Sequence, residues 1–139
     1  MLLDHWHLAK SYAIRGFPCK GPWLAALMLA TRFISMDRIA TFRSFIERTP
    51  TDPFPRYGLA MELKTRGELA EAWSVFSELV DKFADYVPTY LMAGGTLVGL
   101  GRRDEAAAIY RKGIEVATRR GDQHARRELE AALAEITPV

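Results

Sequence analysis

One feature constrains this chain more than any other: it matches itself at a displacement of 34 residues. With Asp52 written above Tyr86, Leu63 falls on Leu97, Gly67 on Gly101, Glu71 on Glu105 and Ala72 on Ala106. Val75 falls on Ile109, Phe76 on Tyr110 and Val80 on Ile114, while Ala60 falls on Gly94, small on small. No gap is needed. A repeat of this length signals a stack of like units, none of which can bury its apolar face alone.

Each unit reads as two antiparallel helices. In the first, over 52–85, Asp52 can cap and Pro53 can take the first helical position, where its missing N–H costs nothing. Leu59, Ala60 and Leu63 form an apolar stripe, and Gly67 ends the helix in the left-handed turn that suits glycine. Leu69, Ala72, Trp73, Phe76, Leu79, Val80 and Phe83 then continue with helical spacing. The second unit, 86–119, repeats the plan with Pro88, Tyr90, Ala93, Gly94 and Leu97, a stop at Gly101, and Ala106 through Ile114 to Ala117. Period-two alternation is absent. Composition agrees, since 19 Ala and 15 Leu stand against 6 Val and 7 Ile. One departure is Gly113, which falls where the first unit has Leu79 and is expected to thin the core there.

The register extends both ways. Gly121 stops the second hairpin, and Asp122 caps a last helix over 122–136 with Ala125, Leu129, Ala132, Leu133 and Ile136 on one side. Its other side carries Arg126, Arg127, Glu128, Glu130 and Glu135, the wet face a terminal helix needs. Backwards, Phe76 leads to Phe42, Val80 to Ile46 and Ala84 to Pro50, so 36–50 reads as half of an earlier repeat.

This wording resembles the tetratricopeptide repeat. The resemblance is carried by the small Ala60 and Gly94, the turn glycines Gly67 and Gly101, Ala72 and Ala106, the aromatics Phe76 and Tyr110, and Pro50 at a repeat end. It covers about residues 36–136: two full repeats, a half repeat before them and a capping helix after. It implies an all-α fold, a right-handed superhelical stack of antiparallel helix hairpins, whose first helices line a concave groove that holds a peptide or a partner helix.

Residues 1–35 differ from the rest. They carry Lys10, Arg15, Lys20 and Arg32 against Asp4 alone, and hold Cys19, Trp6, Trp23, His5 and His7. Three readings stay open. Trp23–Ala30 could be a degenerate first helix, with Ala26 opposite Ala60 and Leu29 opposite Leu63, although Phe33 sits where glycine should make the turn. Met36 could be the natural start, leaving 1–35 as an extension. A secretory signal is the third, against which the apolar run begins 22 residues in and lacks a small-x-small site.

Catalytic constellations are missing. His5 and His7 are two apart and share no helical face, His124 stands among charges, and Cys19 has no nearby His. The string from Gly95 to Gly101 suggests a phosphate loop but lacks the Lys-Ser/Thr ending and a preceding strand. No enzyme activity, metal or cofactor is expected. Basic pairs such as Arg102-Arg103, Arg111-Lys112, Arg119-Arg120 and Arg126-Arg127 are interleaved with acids, and 19 basic residues nearly cancel 17 acidic ones, which disfavours a nucleic-acid partner. No apolar run reaches the roughly 18–20 residues of a membrane span. The single cysteine leaves no internal disulfide framework, and a cytoplasmic location is the expectation.

The groove is more informative. Removing the core side of the first helix at 53–66 leaves Phe54, Tyr57, Met61 and Lys64; the same operation on 87–100 leaves Leu91, Gly95 and Val98, with Met92 and Gly99 beside them. Family members that grip a C-terminal carboxylate place Lys and Asn where Tyr57, Met61, Leu91 and Gly95 stand, so that clamp is not expected. Gly95 and Gly99 lie one turn apart, and each costs a helix up to about 1 kcal/mol relative to Ala. Either they bare a strip for another backbone, or an exposed helix has drifted to glycine. The function expected is a non-catalytic module binding a peptide or partner helix. The alternative is self-association through open helical ends, where Phe42, Phe45 and Ile46 would face another copy.

Overall fold

The computed structural model describes residues 38–137. Among them the regular elements are all helical: α1 over 38–48, α2 Pro53–Thr65, α3 Leu69–Lys82, α4 Pro88–Gly99, α5 Arg103–Arg120 and α6 Gln123–Ile136. From α2 onward each helix packs on the next, and the first helices α2, α4 and α6 also touch in turn. This is a stack of hairpins, an all-α solenoid, as the 34-residue register predicts. The readings of residues 1–35 concern positions outside the described residues, and so do Cys19, His5 and His7.

Local chemistry sets the starts and stops. The Asp52 carboxylate accepts from the Phe54 N–H at 2.9 Å ahead of Pro53, and the Asp122 carboxylate accepts from the Ala125 N–H at 3.0 Å. Gly67, Gly101 and Gly121 take φ of +79°, +75° and +73°. At each, the next N–H reaches back five residues to a helix carbonyl: Glu68 to Leu63 at 3.0 Å, Arg102 to Leu97 at 2.9 Å, Asp122 to Ala117 at 2.9 Å. These bonds satisfy acceptors that a helix end leaves open. The string Gly95–Gly101 is thus the end of α4 and its stop.

Two core clusters follow the two repeats. One joins Leu59, Ala60, Leu63, Ala72, Phe76, Leu79 and Ala93; the other joins Val80, Val87, Tyr90, Leu97, Ala106, Tyr110, Val116, Ala117 and Leu129. Trp73 and Ile109 pack against both. Of the α1 residues expected to lie open, Phe42 and Ile46 pack against the first cluster, and Phe45 is left 44% exposed.

The expected thinning at Gly113 does not occur. A Cβ there would sit 2.5 Å from Tyr90 Cβ and 3.1 Å from Leu129 Cδ1. The missing side chain is filled by the Tyr90 ring, because α5 approaches α4 closely at that point. Tyr90 falls on Arg56 of the first repeat, so each repeat distributes volume differently over the same pair of positions. The two residues still make one equivalent bond. Arg56 Nη1 donates to Pro50 O at 2.8 Å, and Tyr90 Oη donates to Ala84 O at 2.6 Å, which pins each first helix to the end of the preceding repeat.

Candidate interaction groove

Residues 34 apart on successive first helices come together on one side of the stack. Tyr57 of α2, Leu91 of α4 and Ala125 of α6 line one cleft of about 300 Å³, with Val87, Pro88 and Met92. Its far wall is polar, built by Asp122, His124 and Glu128. His124 Nε2 lies 3.4 Å from Glu128 Oε1, and both side chains are largely exposed.

A second cleft, of about 380 Å³, opens between α1 and α2. Phe42, Phe54, Tyr57, Gly58 and Met61 line it, with Arg38, Glu62 and Thr65 at its rim. Gly58 is required there, since a Cβ would lie 2.4 Å from the Phe42 ring. Arg38 and Glu62 approach to 3.5 Å, and Glu62 also takes Arg66 at 3.2 Å.

Tyr57 is shared by both clefts and is held edge-on by two rings, Phe76 at 6.2 Å and Tyr86 at 5.8 Å between centroids. Such T-shaped pairs fix the orientation of the ring. Burial raises the Tyr57 hydroxyl above its ordinary range, with the neighbouring Tyr86 adding to the effect. Two turns further along α2, burial pulls the Lys64 ammonium below its ordinary range. Its Nζ touches Met92 Sδ at 3.9 Å.

Among the residues that the sequence marked for the groove, Phe54, Tyr57 and Met61 line one cleft, and Tyr57, Leu91 and Met92 the other. Lys64 and Gly95 meet each other beyond Met92: the point where a Gly95 Cβ would sit is 3.4 Å from Lys64 Nζ and 3.9 Å from Tyr110 Oη. Val98 and Gly99 turn elsewhere. Val98 packs against the second core cluster, and a Gly99 Cβ would meet Leu69 Cδ1 at 3.0 Å. The nearest neighbours of both glycines are side chains of this chain's own helices. Gly94 lies under the Tyr110 ring, where a Cβ would come within 2.1 Å of it.

Sequence reasoning missed the α6 wall and the α1 contribution. One more step of the register, from Leu91 to Ala125, finds the wall, because the capping helix takes the place of a third first helix. Arginines of the basic pairs are partly matched by acids: Arg102 with Glu105 at 2.6 Å, Arg119 with Asp85 at 2.7 Å and Arg126 with Glu130 at 3.6 Å. Among the described residues no group of three or more His, Cys, Asp or Glu could hold a metal ion, and no helix is long and apolar enough to cross a membrane.

No family model matches the chain, and no curated protein matches it. Solved structures do. The crystal structure of a tetratricopeptide repeat domain protein from Salinibacter ruber is 40% identical, with 61% of this chain and 94% of that chain covered and a TM-score of 0.59. A solution structure of a tetratricopeptide repeat domain protein from the same organism gives 40% identity, 63% and 88% coverage and a TM-score of 0.60. A Bordetella parapertussis protein, 21% identical over 70% of this chain and 85% of that one, shares the fold at a TM-score of 0.62.

Proposed function

The chain belongs to the tetratricopeptide-repeat family, and from that premise we propose that it is a non-catalytic protein-interaction module binding a peptide or partner helix along the α2–α4–α6 side. The carrying observation is that Tyr57, Leu91 and Ala125, one from each first helix, line a single cleft. Apolar anchors there supply affinity, and the charged residues of the α6 wall supply register. Met61 and Met92 suit a surface that adapts to its partner. Residues 36–136 form the interacting unit in this reading, with a cytoplasmic setting.

The test is capture from native extract by wild type and by a Leu91→Arg variant of unchanged helicity. Loss of the captured protein with the variant supports the groove. Equal capture moves recognition to the convex face or the ends and overturns the site. Self-association is the second reading, favoured by Phe54 and Phe45, which remain 62% and 44% exposed. A mass that rises with concentration in sedimentation supports it; a constant monomer mass removes it.

A further inference from the structure

We propose that the cleft between Tyr57, Leu91 and the α6 wall takes a basic side chain, arginine before lysine, from within the bound segment. This rests on the groove reading above and names the charge of the partner at one point of it.

Two carboxylates, Asp122 and Glu128, line the α6 side of the cleft, and no Lys or Arg lines it anywhere. One Asp122 oxygen accepts from the Ala125 N–H as the helix cap, which leaves the other open. Among the described residues, the ion-pair neighbour of Glu128 is the His124 imidazole at 3.4 Å, 87% exposed and charged only when protonated. The arginines nearby turn to other acids. Arg126 pairs with Glu130 of the same helix at 3.6 Å, and Arg119 pairs with Asp85 at 2.7 Å.

Helix ends oppose this charge without cancelling it. The cleft lies at the N-termini of α4 and α6, and each such end carries roughly +0.5 of a charge. Two carboxylates outweigh two helix ends and leave about one net negative charge in the cleft. The whole chain is formally +2, so the cleft is negative against the sign of the molecule.

Shape selects the form of the cation. Val87, Pro88, Leu91 and Met92 offer an apolar bed to the methylene stem of a long basic side chain, whose head then reaches α6. A chain-terminal amine brings no such stem. Tyr57 lines the same cleft with its ring fixed by Phe76 and Tyr86. A guanidinium stacks on an aromatic ring and spreads five donors over two carboxylates, where an ammonium is a point charge. An acidic side chain is repelled by the α6 wall, and a neutral one leaves both carboxylates to water.

The test selects binders to the full chain from a synthetic dodecapeptide library with acetylated and amidated ends, alongside a matched library with free N-termini. The expected result is one position in the blocked library enriched in Arg, then Lys. Changing that residue to Gln weakens binding by about tenfold, the product of an exposed ion pair and a cation–π contact. Asp122→Asn, which keeps the cap, and Glu128→Gln each shrink that ratio by about two- to fivefold. Glu128→Lys moves the enrichment at that position to Asp or Glu, a reversal that a purely structural role would not produce. Blocked peptides that depend on Leu91 but show no basic preference overturn the subsite and leave the groove standing. An unchanged ratio in the Asp122→Asn, Glu128→Gln double variant does the same, and so does enrichment found only with free N-termini. A library without binders sensitive to Leu91→Arg overturns both.

Discussion

Tyr90 fills the volume that Gly113 leaves empty, with the would-be Cβ of one only 2.5 Å from the Cβ of the other. The pair lies where α4 and α5 approach, and Leu129 of α6 closes the third side. Gly113→Ala is therefore an overpacking change, not the cavity repair that the repeat alignment suggests. It should destabilise by about 1–3 kcal/mol, read as a lower midpoint in urea at unchanged slope. Gly113→Leu, which restores the residue of the first repeat, should be worse.

Two adjacent glycines should respond with opposite sign. Gly94→Ala drives a Cβ into the Tyr110 ring and should cost about 1–3 kcal/mol. Gly95→Ala meets only the far end of Lys64 and the Tyr110 hydroxyl at ordinary contact, so helix propensity wins and stability rises by up to about 1 kcal/mol. Thermal unfolding of the two variants side by side checks this. Equal signs would contradict the packing described for α4.

The Arg119–Asp85 pair joins two repeats at 2.7 Å, but both side chains are about two-thirds exposed. Exposed pairs contribute roughly 0–1 kcal/mol and are screened by salt. Asp85→Asn should shift the urea midpoint barely, and 0.5 M salt should erase the shift. By contrast, Arg56→Met removes the donor to the Pro50 carbonyl in a buried place and should cost more.

Alkaline pH should loosen the second repeat through Tyr90. Burial raises its hydroxyl above the ordinary tyrosine range, Asp85 adds to this and Arg119 opposes it. The folded state thus holds the proton more tightly than the unfolded chain. Its contribution is fully present below the ordinary tyrosine pKa and is lost as pH rises through the folded value. Urea midpoints from pH 8 to 11 should fall only at the alkaline end, less steeply in Tyr90→Phe. Near neutrality Tyr90→Phe should cost about 1 kcal/mol for the lost bond to Ala84.

Part of the cleft lining is legible because a first helix repeats its role every 34 residues: Tyr57 implies Leu91, while the α6 wall at Ala125 becomes visible only when the capping helix is treated as one more first helix. Helical angle places Val98 on the groove side of α4, and the propensity cost of two glycines one turn apart singles out Gly99 beside it. They sit near the end of α4, where neighbouring core residues and Leu69 of the adjacent hairpin take that side. Angle around one helix does not say which neighbour arrives there.

The sequence by itself determined the hairpins, their caps and stops, and the repeat that stacks them. These depend on local dihedral preference and on apolar spacing within about one turn, both written in consecutive residues. Only the tertiary structure decided that Tyr90 fills Gly113, that Arg56 and Tyr90 make the same bond, and that Lys64 and Tyr110 face one point over Gly95. Those relations join different helices: the repeat alignment shows that a side chain is lost at Gly113, but close packing decides which neighbouring helix refills the volume.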